Sequence, residues 1–100
     1  MHLEVRYSRP FLVDLQHLDR AGYERIYEFV FFEFDQFDRL EDLPSLKQLG
    51  ASPLFYRFNV DDFLVAIEVT GHFVKFLRII PPSAIEHSSW PEPARDELGD

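Results

Sequence analysis

Lys47, Arg57 and Arg78 are the candidate residues of this chain for chemistry on an anion, and Lys75 is the fourth cation of their region. They lie within residues 43–82, where only Asp61, Asp62 and Glu68 oppose them. Elsewhere acid dominates. Residues 21–42 hold seven acids against Arg25 and Arg39, residues 83–100 hold five against Arg95, and the whole chain carries a net charge of −8. Any anion-binding surface therefore belongs to the middle of the chain. A nucleic-acid binder normally shows a basic surplus, because phosphate contacts supply most of its affinity. A charge of −8 repels a polyanion rather than steering toward it, so contact with RNA is doubtful. Arg57 reads as a phosphate contact or a salt-bridge partner for another protein, or else as a solvated strand arginine paired with Glu68. Arg78 sits among apolar neighbours, where a structural ion pair is as good a reading as a ligand contact. Lys47 reads equally as a plain surface residue.

Other chemistries find little support. The chain has no cysteine, so it has no disulfide, thiolate nucleophile or Cys-based metal site. His2, His17, His72 and His87 lack metal-ligand spacing on any one element. Glu33, Asp35, Asp38, Glu41 and Asp42 lack the glycine-kinked loop of a calcium site and read as a solvated helix face. Asp61-Asp62 reads as a turn rather than a catalytic carboxylate pair. No Ser-His-Asp set or phosphate-binding glycine loop is visible, so no catalytic residue can be named from the residues alone. Neither a metal nor a cofactor is expected.

The elements that must position the cations follow from periodicity. At 100 residues and 46% hydrophobic, the chain is one ordinary domain. Residues 2–7 alternate, with Leu3, Val5 and Tyr7 on one side, and predict a strand. Ser8 is the expected N-cap of a first helix, with Pro10 in its first turn. A second helix is expected over about 22–41, its stripe being Tyr23, Tyr27, Val30, Phe34 and Phe37. Residues 44–53 form a connector. Three strands then follow, near 54–60, 63–69 and 72–80, separated by turns at Asp61-Asp62 and Thr70-Gly71 and stopped by Pro81-Pro82. The order β-α-α-β-β-β predicts an α+β fold: an N-terminal helical hairpin packed on one face of a small antiparallel sheet, with the other face left for a partner. The domain is expected over 1–85, and 86–100 reads as an acidic, proline-containing tail, mobile unless Trp90 docks. No signal-peptide core or membrane-length apolar run is present, so no membrane role is expected and the cytoplasm is the expected location.

The run Phe29-Val30-Phe31-Phe32 cannot turn all four side chains to one core at the helical period. With the stripe above as the buried face, Phe29 and Phe32 point away from it. Together with Trp90 they form a candidate protein interface, either with a partner or in a homodimer.

The segment 42-DLPSLKQLGASPLFYRFNVDDFLVAIEV-69, followed by FVKFLRII, resembles the RelE/ParE toxin superfamily of type II toxin–antitoxin modules. The resemblance implies a small cytoplasmic toxin held inactive by a cognate antitoxin. RelE-like members cut mRNA on the ribosome with basic residues of the concave sheet face, and ParE-like members poison DNA gyrase. It implies that Arg57, Lys47 and Arg78 stand at basic positions of the family. Other basic positions are lost. Gly50 and Ala51 replace a lysine and a glycine, Leu64 replaces an arginine, Pro81-Pro82 replaces a His-Arg pair, and Ile85-Glu86 replaces an Ile-Tyr pair. The chain therefore reads as a divergent acidic member with weak or lost mRNA cleavage, since each missing donor costs roughly 10²–10³ in rate. The alternative is a non-catalytic derivative of the toxin fold that serves as a binding or regulatory module.

Overall fold

The computed structural model describes residues 3–82. Strand β1 (Glu4–Tyr7) leads into α1 (Arg9–His17) and α2 (Arg20–Glu28). After a series of tighter turns come β2 (Lys47–Gln48), β3 (Phe55–Val60), β4 (Phe63–Thr70) and β5 (Phe73–Ile80). They form one five-stranded sheet in the order β1-β5-β4-β3-β2.

Local chemistry sets the helix starts. Ser8 caps α1 as expected, its Oγ accepting from the N–H of Phe11, with Pro10 in the first turn. Asp19 caps α2 by accepting from Gly22 N–H at 2.8 Å. The hairpin turns are also as expected in kind. Asp61-Asp62 joins β3 to β4 with Asp61 at φ 54°, and Gly71, at φ 58°, opens the turn into β5. Both positions lie in the left-handed region that Gly tolerates freely and Asp better than most.

The α+β class holds, with two helices packed on the sheet, but the sheet is mixed rather than antiparallel throughout. Strand β1 runs parallel to β5, pairing Val5 with Val74 and Tyr7 with Phe76. Tight turns force β3, β4 and β5 into antiparallel neighbours, whereas β1 reaches its place through the helices and is free to run either way. The connector also contributes a strand: β2 pairs Lys47 with Arg57 and Gln48 with Tyr56.

The core lies between the helices and one sheet face. Val65, Ile67, Val74, Phe76, Ile79, Phe58 and Val60 come from the sheet, and Phe11, Leu15, Ile26, Phe29, Val30 and Phe34 cover them. Phe34 meets Phe76 edge to face at 5.2 Å between ring centres, and Phe29 lies 5.5 Å from Phe58.

The second helix departs most from expectation. Its α-helical part ends at Glu28; a π-turn covers Phe29–Glu33, and 3₁₀ turns follow at Phe34–Gln36 and Leu40–Asp42. The buried stripe is Gly22, Ile26, Phe29, Val30 and Phe34, while Tyr23 and Tyr27 are about 40% exposed. Gly22 carries that stripe because the helix comes close to the sheet there: a Cβ would sit 2.9 Å from Phe63 Cζ. The π-turn lets Phe34 N–H reach Phe29 O, five residues back, so both rings enter the core.

Phe29 is therefore not an interface residue, being 3% exposed and packed on Phe34, Phe37 and Phe58. Phe32 does face outward, at 61% exposure. Trp90, residues 83–85 of the expected domain and the expected tail lie outside the described residues. Among the described residues no helix is long and apolar enough to cross a membrane.

Candidate anion- and partner-binding face

The sheet face away from the helices presents Arg57 and Asn59 from β3, Leu64, Ala66 and Glu68 from β4, and Phe73 and Lys75 from β5. Alternation dictates this, since Phe58, Val60, Val65, Ile67, Val74 and Phe76 fill the core side.

Strand register brings the three candidate cations into one row. Lys47 pairs with Arg57, Arg57 with Ala66, and Ala66 with Arg78. Arg78 reaches this row only because the β4–β5 register shifts between Ala66 and Ile67. Without the shift Leu77 would face Ala66.

The three do not act alike. Beyond Phe76 the outer edge of β5 is covered by α1 and its cap rather than by β1. Ser8 N–H donates to Phe76 O at 2.9 Å and its hydroxyl to Leu77 O at 2.8 Å. Asp14 accepts from Ile79 N–H at 2.9 Å. The same carboxylate takes Arg78, Nε at 2.7 Å and Nη2 at 3.1 Å. The Asp14 hydrogen bond and charge raise the Arg78 pKa against the opposing effect of burial. Arg78 thus fulfils the structural reading and is drawn to the sheet edge. Arg57 does not face Glu68, whose β3 partner is Phe55. Among the described residues neither Lys47 nor Arg57 has an ion-pair partner. Two like charges directly opposite each other disfavour the pairing, and an anion held between them relieves that repulsion.

A further group was not legible in the sequence. Arg6 of β1 pairs with Lys75 of β5, and both border a shallow depression of about 250 Å³ with Glu68, Thr70 and Phe73. Arg6 stacks its guanidinium 3.9 Å from the Phe73 ring centre and pairs with Glu4 at 3.3 Å. The alternation of β1 did place Arg6 outward, but the parallel pairing that sets it beside Lys75 carries no sequence signal. Glu4 and Glu68 offset much of this charge, so it adds little to anion binding.

The centre of the face is apolar but offers little surface, since Leu64 and Ala66, between the strands that carry the cations, are only 6% and 5% exposed. On this geometry the face can hold one or two anionic groups near Lys47 and Arg57. Among the described residues no group of three His, Asp or Glu side chains is placed to hold a metal ion. No carboxylate or imidazole lies on the Lys47–Arg57–Ala66–Arg78 row to move a proton.

The sequence matches no protein-family model, and no curated protein matches it significantly. Solved structures do match. A chain of the RelB–RelE antitoxin–toxin complex from Methanococcus jannaschii superposes with a TM-score of 0.64 at 23% identity, over 81% of this chain and 94% of that one. The RelBE2 toxin–antitoxin complex from Mycobacterium tuberculosis gives 0.66 at 17% identity, over 81% and 99%. The DinJ–YafQ toxin–antitoxin complex from E. coli gives 0.65 at 13%, over 85% and 98%. Matches that cover nearly the whole of each neighbour show that this chain shares the fold of those chains of toxin–antitoxin complexes.

Proposed function

We propose that this chain is a RelE/ParE-like toxin-family protein of a type II toxin–antitoxin module, cytoplasmic, neutralised by a protein antitoxin, with weak or lost ribosome-dependent mRNA cleavage. The observation that carries the reading is the row Lys47–Arg57–Ala66–Arg78 on a toxin fold. It keeps a place for a phosphate at Lys47 and Arg57, but Asp14 neutralises its third cation. Phosphodiester cleavage needs donors aimed at developing charge, and this face has few: Arg78 is taken by Asp14 and Leu64 stands where the resemblance implies an arginine. Fold neighbours solved with antitoxins support a protein partner.

The test is induced expression in bacteria with a growth readout, alongside cleavage of mRNA on purified ribosomes. Slow or absent growth arrest and little cleavage are expected. Strong arrest that Arg57→Ala abolishes overturns the loss of activity and places catalysis on this face.

A second reading is a non-catalytic toxin-fold module that binds protein, with a second copy of the chain as one partner; the neutralisation of Arg78 by Asp14, which leaves the row short of a cation, favours it. A small protein encoded beside this one that forms a stable complex with it favours the first reading; its absence favours the second.

A further inference from the structure

On the opposite side of the molecule an aromatic ladder remains outside the core. Tyr23 and Tyr27 stack at 5.9 Å between ring centres, Tyr27 and Phe31 lie at 4.6 Å, and Tyr27 and Phe32 at 6.2 Å. Tyr7 supports the ladder from below, 5.3 Å from Phe31. The four rings are 38%, 41%, 39% and 61% exposed. Tyr23, Tyr27 and Phe31 are spaced four apart, so ordinary helical geometry sets them in one row. From Tyr23 to Phe32 the ladder runs about 13 Å along the helix, more than two helical turns.

The rim of the ladder is acidic. Glu24 and Glu28 follow Tyr23 and Tyr27 along α2 and flank the ladder, against two arginines of the helix, Arg20 and Arg25. Both arginines are already engaged: Arg20 with Glu24 at 3.1 Å, and Arg25 with Asp61 at 2.9 Å and Glu33 at 3.1 Å. The Glu24 and Glu28 side chains remain more than 60% exposed.

We infer that this ladder docks an amphipathic helix whose apolar stripe is flanked by lysine or arginine. A row of rings along one helix fits side chains spaced three and four apart on another. The rim selects basic flanks over acidic ones. A second copy of this chain would bring the same acidic rim against the first, and an anionic lipid surface is repelled in the same way. The inference does not depend on the toxin reading; a chain that causes no growth arrest still presents the ladder.

The test uses the full chain and three synthetic peptides of about 18 residues, long enough for appreciable helicity in water. One carries leucines at spacings of three and four with lysine flanks. The second has the same leucines with glutamate flanks, and the third is a scramble of the first. Titration is followed by calorimetry. The lysine-flanked peptide binds, more weakly as salt is added, and the other two do not. Phe32→Ser with Tyr27→Ser weakens binding roughly tenfold or more, as for an interface aromatic. Glu24→Lys with Glu28→Lys shifts preference to the glutamate-flanked peptide, a gain that loss of folding cannot produce. Equal binding of the scramble, no binding of any peptide, or self-association of the wild type that Phe32→Ser abolishes overturns the inference.

Discussion

Asp14 holds Arg78 through both Nε and Nη2, and the same carboxylate accepts the backbone N–H of Ile79. One side chain on α1 thus closes the edge of β5 and removes a cation from the open face. The Asp14 side chain is 16% exposed and that of Arg78 55%, so the two partners are not equal in stability. Asp14→Ala leaves a part-buried N–H without an acceptor and should destabilise by about 1–3 kcal/mol. Arg78→Ala leaves Asp14 on Ile79 and should cost less than about 1 kcal/mol. Urea denaturation of both variants checks the order.

The buried face of β4 is set by Val65 and Ile67, both 0% exposed. Ile67→Asp or Val65→Asp places an unpaired carboxylate between sheet and helices, at a cost of roughly 3–5 kcal/mol or more. Circular dichroism and a melting curve should show loss of the cooperative transition. A cooperatively folded Ile67→Asp protein would mean that the core lies elsewhere.

The β3–β4 turn joins two demands on Asp61, which takes φ 54° and binds Arg25 at 2.9 Å. Burial alone would lower the Arg25 pKa, but the bond to Asp61 and the charges of Asp61 and Glu33 raise it. Asp61→Asn keeps the backbone tolerance and leaves Glu33 on Arg25, so it should cost under about 1 kcal/mol. Asp61→Val adds the left-handed penalty of a branched residue, about 1–2 kcal/mol. Paired denaturation curves separate the backbone cost from the charge.

Tyr7 is held above its ordinary pKa of 10.0, first by burial and then by the charge of Asp35. Its neutral form is therefore favoured in the folded state. Below pH 10 both folded and unfolded chains carry the proton, and the full benefit is present. As pH rises past 10 the unfolded chain releases the proton first, so stability falls through the folded pKa. Tyr7→Phe keeps the ring stacking with Phe11 and Phe76. It should flatten the alkaline limb of a stability–pH curve without changing stability near neutrality by more than about 1 kcal/mol.

The sequence by itself determined whatever depends on neighbours along the chain. Ser8 and Pro10 started α1, Asp61-Asp62 and Gly71 made the hairpins, and alternation put Leu3, Val5 and Tyr7 on one side of the first strand. Those effects act over a few residues, so they survive without knowledge of the fold. The three candidate cations could be named, but their relation could not. Register and a one-residue shift at Ala66/Ile67 put Lys47, Arg57 and Arg78 in a row, and helix packing from Asp14 then took Arg78 out of it. Phe29 shows the same limit from the other side. Large aromatics suggested a stripe through Tyr23 and Tyr27, whereas close approach to Phe63 turned Gly22 and Ile26 inward and a π-turn carried Phe29 and Phe34 with them. The direction of β1 was likewise decided only in the folded chain. No tight turn ties β1 to β5, and its partner lies about seventy residues away, so only packing of the whole domain selects the parallel pairing.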